Sequence, residues 1–104
     1  MKNIVLVCAA GMSTSLLVSK MKEAAKNSPE KITINATAGS DLAKFADEMQ
    51  VLLLGPQVSY MKSKYESEFG SKGIPVEVIN SVDYGMMHGE KVLERALELI
   101  DNSQ

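Results

Sequence analysis

Several residue types are scarce in this chain of 104 residues, and each scarcity excludes something. Cys8 is the one cysteine, so there is no internal disulfide, and the usage fits a reducing cytosol. No basic tract is present, and the five aromatic residues do not interleave with basic ones, which argues against nucleic acid as a partner. The charge is nearly balanced, 13 acidic against 11 basic side chains. No apolar run approaches the roughly 18 residues that a membrane span needs. Lys2 and the apolar stretch ending at Cys8 superficially suggest a lipoprotein signal, but that stretch falls short of the ~7–15-residue core of a signal peptide. Val7 is also larger than the small residue such cleavage sites prefer. The expectation is a cytoplasmic protein forming one domain, residues 1–104, that buries about 65% of its extended surface.

What is present alternates between strand and helix. Ile4-Val5-Leu6-Val7 and Val51-Leu52-Leu53-Leu54 are continuously apolar and read as central strands covered on both faces. Ile32-Thr33-Ile34-Asn35-Ala36 and Val76-Glu77-Val78-Ile79 carry polar residues and suit sheet edges. The expected fold is α/β, a four-stranded parallel sheet in the order 2-1-3-4 with helices on both faces, flavodoxin-like without its last strand.

Helical spacing fills the gaps. A first helix beginning at Leu16 buries Leu17, Met21, Ala24 and Ala25. A short second one follows Ser40 as N-cap and buries Leu42, Phe45 and Ala46. A third carries Val58, Met61, Tyr65 and Phe69 and stops at Gly70 as its C′ glycine, leaving 70–75 as a loop. The last buries Leu93, Ala96, Leu97 and Ile100. Ligands of such sheets bind beyond the carboxyl ends of the strands, where chain direction reverses. Cys8, the Gly55-Pro56-Gln57 segment and the 80–89 wall converge there.

Cys8 ends an apolar strand and opens the polar turn Ala9-Ala10-Gly11-Met12-Ser13-Thr14-Ser15. A thiol facing a helix start meets unpartnered N–H groups and a favourable dipole, which lower its pKa and can cradle a phosphate. The thiolate is the attacking form, and a free thiol with pKa near ~8.5 is mostly protonated at neutral pH. Gly11 permits close approach. Ser13, Thr14 and Ser15 supply hydroxyl donors, helix caps or both. Gln57 reads either as a side-chain donor to phosphoryl oxygens or as an ordinary first-turn surface residue. Tyr84, on the opposite wall, reads either as a phosphoryl-binding residue or as loop packing. His88 and Asp83 receive no role; His88 has no second ligand nearby and suits the start of the last helix. Met12 in the loop, with Met86 and Met87, suits docking to more than one partner.

The loop contains no lysine or arginine. Cysteine-dependent phosphatases of the low-molecular-weight tyrosine phosphatase type share this strand–loop–helix site and carry Cys-x5-Arg-Ser/Thr. Here Cys8-x5 leads to Thr14, and the one arginine, Arg95, belongs to the last helix. An arginine on a transferring phosphoryl group contributes ~10³–10⁵ in rate in other systems. Without it, a phosphocysteine should wait for an acceptor, so the loop reads as a carrier.

The run Val7-Cys8-Ala9-Ala10-Gly11-Met12-Ser13-Thr14-Ser15-Leu16-Leu17-Val18-Ser19-Lys20-Met21 resembles the start of enzyme IIB from the lactose/cellobiose branch of the bacterial phosphoenolpyruvate-dependent sugar phosphotransferase system. Leu53 to Met61 is similar to a second block of that family, and Pro75 to Ile79 with Tyr84-Gly85 to a third. The resemblance implies that Cys8 takes a phosphoryl group from a histidine on a IIA protein. It passes the group to a β-linked disaccharide such as cellobiose, chitobiose or lactose during passage through the membrane subunit IIC, which the chain meets transiently. The resemblance implies no metal or organic cofactor, and the carrier is expected to be a monomer. Two rivals stay open on the residues alone: a phosphatase or arsenate reductase on the same scaffold, and an adaptor that binds partners according to phosphorylation. Arsenate reductases of this type need further cysteines that this chain lacks.

Overall fold

Two continuously apolar strands require cover on both faces, and the molecule is built around meeting that requirement. The computed structural model describes residues 2–7, 11–28, 31–37, 42, 44–45 and 47–102, with the backbone alone for 11–15. Strands β1 (Lys2–Val7), β2 (Ile32–Thr37), β3 (Val51–Leu54) and β4 (Val76–Val78) form one parallel sheet in the order β2-β1-β3-β4. This is the expected flavodoxin-like order. Ile4 to Val7 and Val51 to Leu54 are each at most 2% exposed, which makes β1 and β3 the interior strands.

Alternate side chains feed two cores, as the two-residue period of a strand demands. Ile4, Leu6, Val51 and Leu53 point to the face covered by α1 (Gly11–Ala25) and α4 (Gly89–Asn102), where Leu17, Met21, Val92, Leu93, Ala96 and Ile100 pack. Val5, Val7, Leu52 and Leu54 point to the other face, against Val58, Tyr65, Phe69 and Ile74. Leu97, expected in the core, is only partly buried, and Val92 takes the deeper position.

Several boundaries differ from expectation. Helix α1 begins at Gly11, five residues before Leu16, so only Cys8, Ala9 and Ala10 separate strand from helix. Polar Ser13, Thr14 and Ser15 masked its start in the hydrophobic pattern, because a first turn at the sheet's edge needs no apolar face. The third helix comes in two pieces, a 3₁₀ turn over Pro56–Met61 and α2 (Lys62–Phe69), with Val58 at φ −116°, ψ 24° between them. Its four apolar residues still face one core, so the spacing survived the break.

Gly70 is not the terminating glycine. Its φ of −59° is right-handed, and the chain tightens into a 3₁₀ turn, Gly70–Lys72. The left-handed residue is Gly73, at φ 78°. Gly73 N–H donates to the Gly70 carbonyl (3.0 Å) and Ile74 N–H to that of Phe69 (3.1 Å), the paired bonds of a Schellman motif. Phe69 and Ile74 lie in the same core, and their contact places the stop three residues late. Of the short second helix, Ser40 and Ala46 lie outside the described residues, while Leu42 is buried and Phe45 packs against the core.

Helices α1 and α4 touch at backbone distance. A Cβ on Gly89 would lie 2.5 Å from Lys20 Cβ and 2.7 Å from the Met21 nitrogen. Gly89→Ala should therefore cost about 1–3 kcal/mol in urea unfolding. Gly85→Ala, where a Cβ meets nothing within 4 Å, should stay within about 1 kcal/mol of the parent.

Candidate functional site

Three strands end side by side at the carboxyl edge of the sheet. Val7 pairs with Leu54 and Leu54 with Val78. The ladder continues one step further, with Gly55 N–H donating to the Val7 carbonyl (2.9 Å) and Ile79 N–H to the Leu54 carbonyl (2.8 Å). Each strand then starts a helix almost at once: α1 at Gly11, the 3₁₀ turn at Pro56, and α3 (Ser81–Gly85) after Asn80. Helix starts expose N–H groups without intrahelical partners and carry partial positive charge. Of the three, α1 opens the longest helix and is the start suited to an anion, because Asn80 takes the N–H groups of Val82 and Asp83 at α3 and the 3₁₀ turn opens on Pro56.

The expected site residues fall on this edge to different degrees. Cys8, Ala9 and Ala10 lie outside the described residues, as do the side chains of Gly11, Met12, Ser13, Thr14 and Ser15. The backbone of those five is helical and forms the first turns of α1. Gln57 is exposed at the second position of the 3₁₀ turn, two residues beyond the Gly55 bond to Val7. Tyr84 is different: it is 6% exposed and packs in the core shared with α1 and α4. Its ring supports α3 from beneath.

Helix α3 was missed in the sequence, where 80–89 read as a wall without structure. Its start is signalled by Asn80, whose Oδ1 accepts from the N–H groups of Val82 (2.8 Å) and Asp83 (3.3 Å). Its end is a second Schellman motif, with Met87 N–H bonded to Tyr84 O (3.3 Å) and His88 N–H to Asp83 O (2.9 Å). Met87 occupies the left-handed position, φ 57°, where glycine is usual. Its side chain is partly buried against the core. His88 Nδ1 lies 3.0 Å from Asp83 Oδ1, which ties the end of α3 to the start of α4. His88 thus sits just before the last helix, where the sequence placed it.

Arg95 is committed elsewhere. Its Nε and Nη2 donate to both carboxylate oxygens of Glu77 on β4 (2.7 Å each), and Nη1 donates to Glu98 (2.8 Å). The hydrogen bonds and charge of Glu77 push its pKa further above the ordinary arginine value. Among the described residues no group of three or more His, Cys, Asp or Glu could hold a metal ion.

Large apolar side chains are exposed at four described positions, and all four follow a strand end on this edge. Leu16 lies in α1, Tyr60 (77% exposed) in the 3₁₀ turn, Val82 (63%) in α3 and Met86 (65%) just after it. Met87, by contrast, is partly buried.

Residues 3–95 match the family model of the PTS lactose/cellobiose-specific IIB subunit. The chain is 45% identical over 105 residues to the cellobiose-specific EIIB component of Lactococcus lactis, covering 96% of this chain and 97% of that one. It is 47% identical over 105 residues to the oligo-beta-mannoside-specific EIIB component of Bacillus subtilis, at 98% and 99% coverage. The solution structure of the cellobiose-specific phosphotransferase IIB component from Borrelia burgdorferi superposes with a TM-score of 0.82 at 45% identity, over 99% of this chain and 94% of that one. The lactose-specific IIB domain from Streptococcus pneumoniae shares the fold at 19% identity, with a TM-score of 0.80 over 93% of this chain and 95% of that one.

Removing the cap tests how α3 is held. Asn80→Ala should cost about 1 kcal/mol in urea unfolding, and Asn80→Asp should restore most of it.

Proposed function

The chain belongs to the lactose/cellobiose-specific IIB family of the sugar phosphotransferase system, and we propose that within it Cys8 carries the phosphoryl group. Such IIB components work with IIA and IIC subunits in sugar uptake. In the proposed cycle the Cys8 thiolate attacks the phosphorus of a IIA phosphohistidine. The P–N bond breaks, a P–S bond forms, and the freed imidazole nitrogen takes a proton. At the IIC subunit a sugar hydroxyl attacks the same phosphorus; a P–O bond forms, the thiolate leaves, and the hydroxyl proton passes to a base or to water.

The observation that carries this reading is the convergence of three helix starts on the strand ends beside Val7, after which Cys8 follows directly. Backbone dipoles there favour a tetrahedral anion. Loop residues Ala9 to Ser15 would contribute N–H and hydroxyl donors, and Gln57 a side-chain amide. Tyr84 would act by holding α3 against the core rather than by touching the phosphoryl group.

Arg95, bound to Glu77 and Glu98, offers no guanidinium to a phosphoryl group, which favours holding over hydrolysis. The phosphatase alternative finds no support among the relatives. Leu16, Tyr60, Val82 and Met86 would supply an apolar docking rim for brief encounters of a monomeric, cytoplasmic carrier with IIA and with the membrane subunit. The acceptor would be a β-linked disaccharide of the cellobiose, chitobiose or lactose type, in keeping with relatives named for cellobiose and oligo-beta-mannosides. Residues 1–104 would act as one such domain.

Incubation with phosphoenolpyruvate, the general phosphotransferase proteins and a IIA should add one phosphoryl group to the parent and none to Cys8→Ser, read by intact-mass spectrometry. Complete labelling of that variant would place the phosphoryl group on another residue. Gln57→Ala should slow labelling roughly 10–100-fold, the worth of one hydrogen bond to a charged group. Met86→Glu should raise the IIA concentration for half-maximal rate by about fivefold or more, with little change in unfolding midpoint. Turnover of p-nitrophenyl phosphate by the isolated protein would instead favour a hydrolase.

A further inference from the structure

The two edges of the sheet are treated differently. Strand β4 is three residues long, and Glu77 within it is clamped by Arg95. Short length and a charge are devices that keep an edge from pairing with other chains. Strand β2 has neither: Ile32-Thr33-Ile34-Asn35-Ala36-Thr37 spans six residues without charge or proline. It is the outer strand, held to β1 along its whole length.

Lys2 N–H donates to the Lys31 carbonyl (2.9 Å), so Lys31 faces β1. By the strand alternation, Thr33 and Asn35 also turn their peptide groups toward β1, and Ile32, Ile34 and Ala36 turn theirs away. The Thr33 hydroxyl further donates to Asn3 Oδ1, which fastens the strand from one side.

A groove opens on each face beside this edge. One, about 460 Å³, lies between β2 and α1 and is lined by Lys22, Lys26 and Ile32. The other, about 390 Å³, is on the opposite face, with Val5, Phe45 and Met49 as its apolar floor and Asn3, Asn35 and Glu48 at its sides. An added strand points its side chains alternately to the two faces, so one set would enter each groove. The geometry points to β2 as a docking strand for an extended segment of another protein, with acidic residues toward Lys22 and Lys26 and apolar ones toward Phe45 and Met49.

Charge selects this occupant. Neither lysine forms an ion pair among the described residues. Two copies of this chain paired through β2 would bring Lys22 and Lys26 of one copy toward those of the other, so self-pairing is opposed and an acidic partner favoured. The proposal does not depend on Cys8, and its test has no phosphoryl readout.

The test uses the full chain, nitrogen-15 labelled, and a capped peptide alternating valine and glutamate. The peptide should shift the Ile32, Ile34 and Ala36 amides and protect them from exchange. Lys22→Glu with Lys26→Glu should weaken binding by about tenfold or more. A peptide with lysine for glutamate, or one N-methylated at alternate residues, should bind at least as poorly to the parent chain, and neither control depends on a protein variant. No protection at millimolar peptide, equal binding of the lysine or N-methylated peptide, or sedimentation showing self-association through β2 would each overturn the proposal.

Discussion

The bonds from Gly55 N–H to the Val7 carbonyl and from Ile79 N–H to the Leu54 carbonyl align three strand ends within one hydrogen-bond step of each other. In a parallel sheet every strand ends on the same edge, and every crossover must begin there. Helix starts therefore gather at that edge without any residue selected for the purpose. The anion site proposed for this edge would thus follow from topology, with side chains refining it. A shift in register between β1 and β3 would separate Val7 from Gly55 and disperse the arrangement.

That register is specified by burial. Residues of β1 and β3 alternate between two cores, and a slip of one residue would exchange the whole set between faces. Both cores are filled by large side chains at a few per cent exposure or less. The proposed site thus stands at the end of the two most deeply buried strands, which suits chemistry that depends on placement. Its rim is less regular, with a five-residue helix fastened by Asn80 at one end and by the Asp83–His88 contact at the other.

The one arginine is engaged with carboxylates of its own chain. Its guanidinium sits in a fork with Glu77, both carboxylate oxygens accepting from it. Apolar or neutral groups are exposed in the segments that follow the strand ends, Gln57, Tyr60, Val82 and Met86, beside the part-exposed pair Asp83 and His88. The proposed carrier would gain from such a surface when releasing its partners, because buried interfacial charge slows dissociation. The two sheet edges repeat the contrast, with β4 short and charged and β2 long and neutral.

Much of this was legible in the residues. Two uninterrupted apolar runs identified β1 and β3, and polar residues in the other two strands identified the edges, because burial on two faces and on one leaves different patterns. The cysteine, its polar turn and the missing arginine defined the proposed chemistry through residue type alone. Other features depended on contacts between residues far apart in the chain. That Gly73 rather than Gly70 ends a helix follows from Phe69 meeting Ile74 in a core that α2 shares with β1 and β3. That Tyr84 is buried, and that Arg95 is occupied by Glu77, depends on how α3 and α4 lie over the sheet. Local pattern determined the strands and their order, and it supplied the proposed nucleophile. Tertiary packing decided which polar side chains are free to act, since that depends on neighbours the chain supplies from a distance.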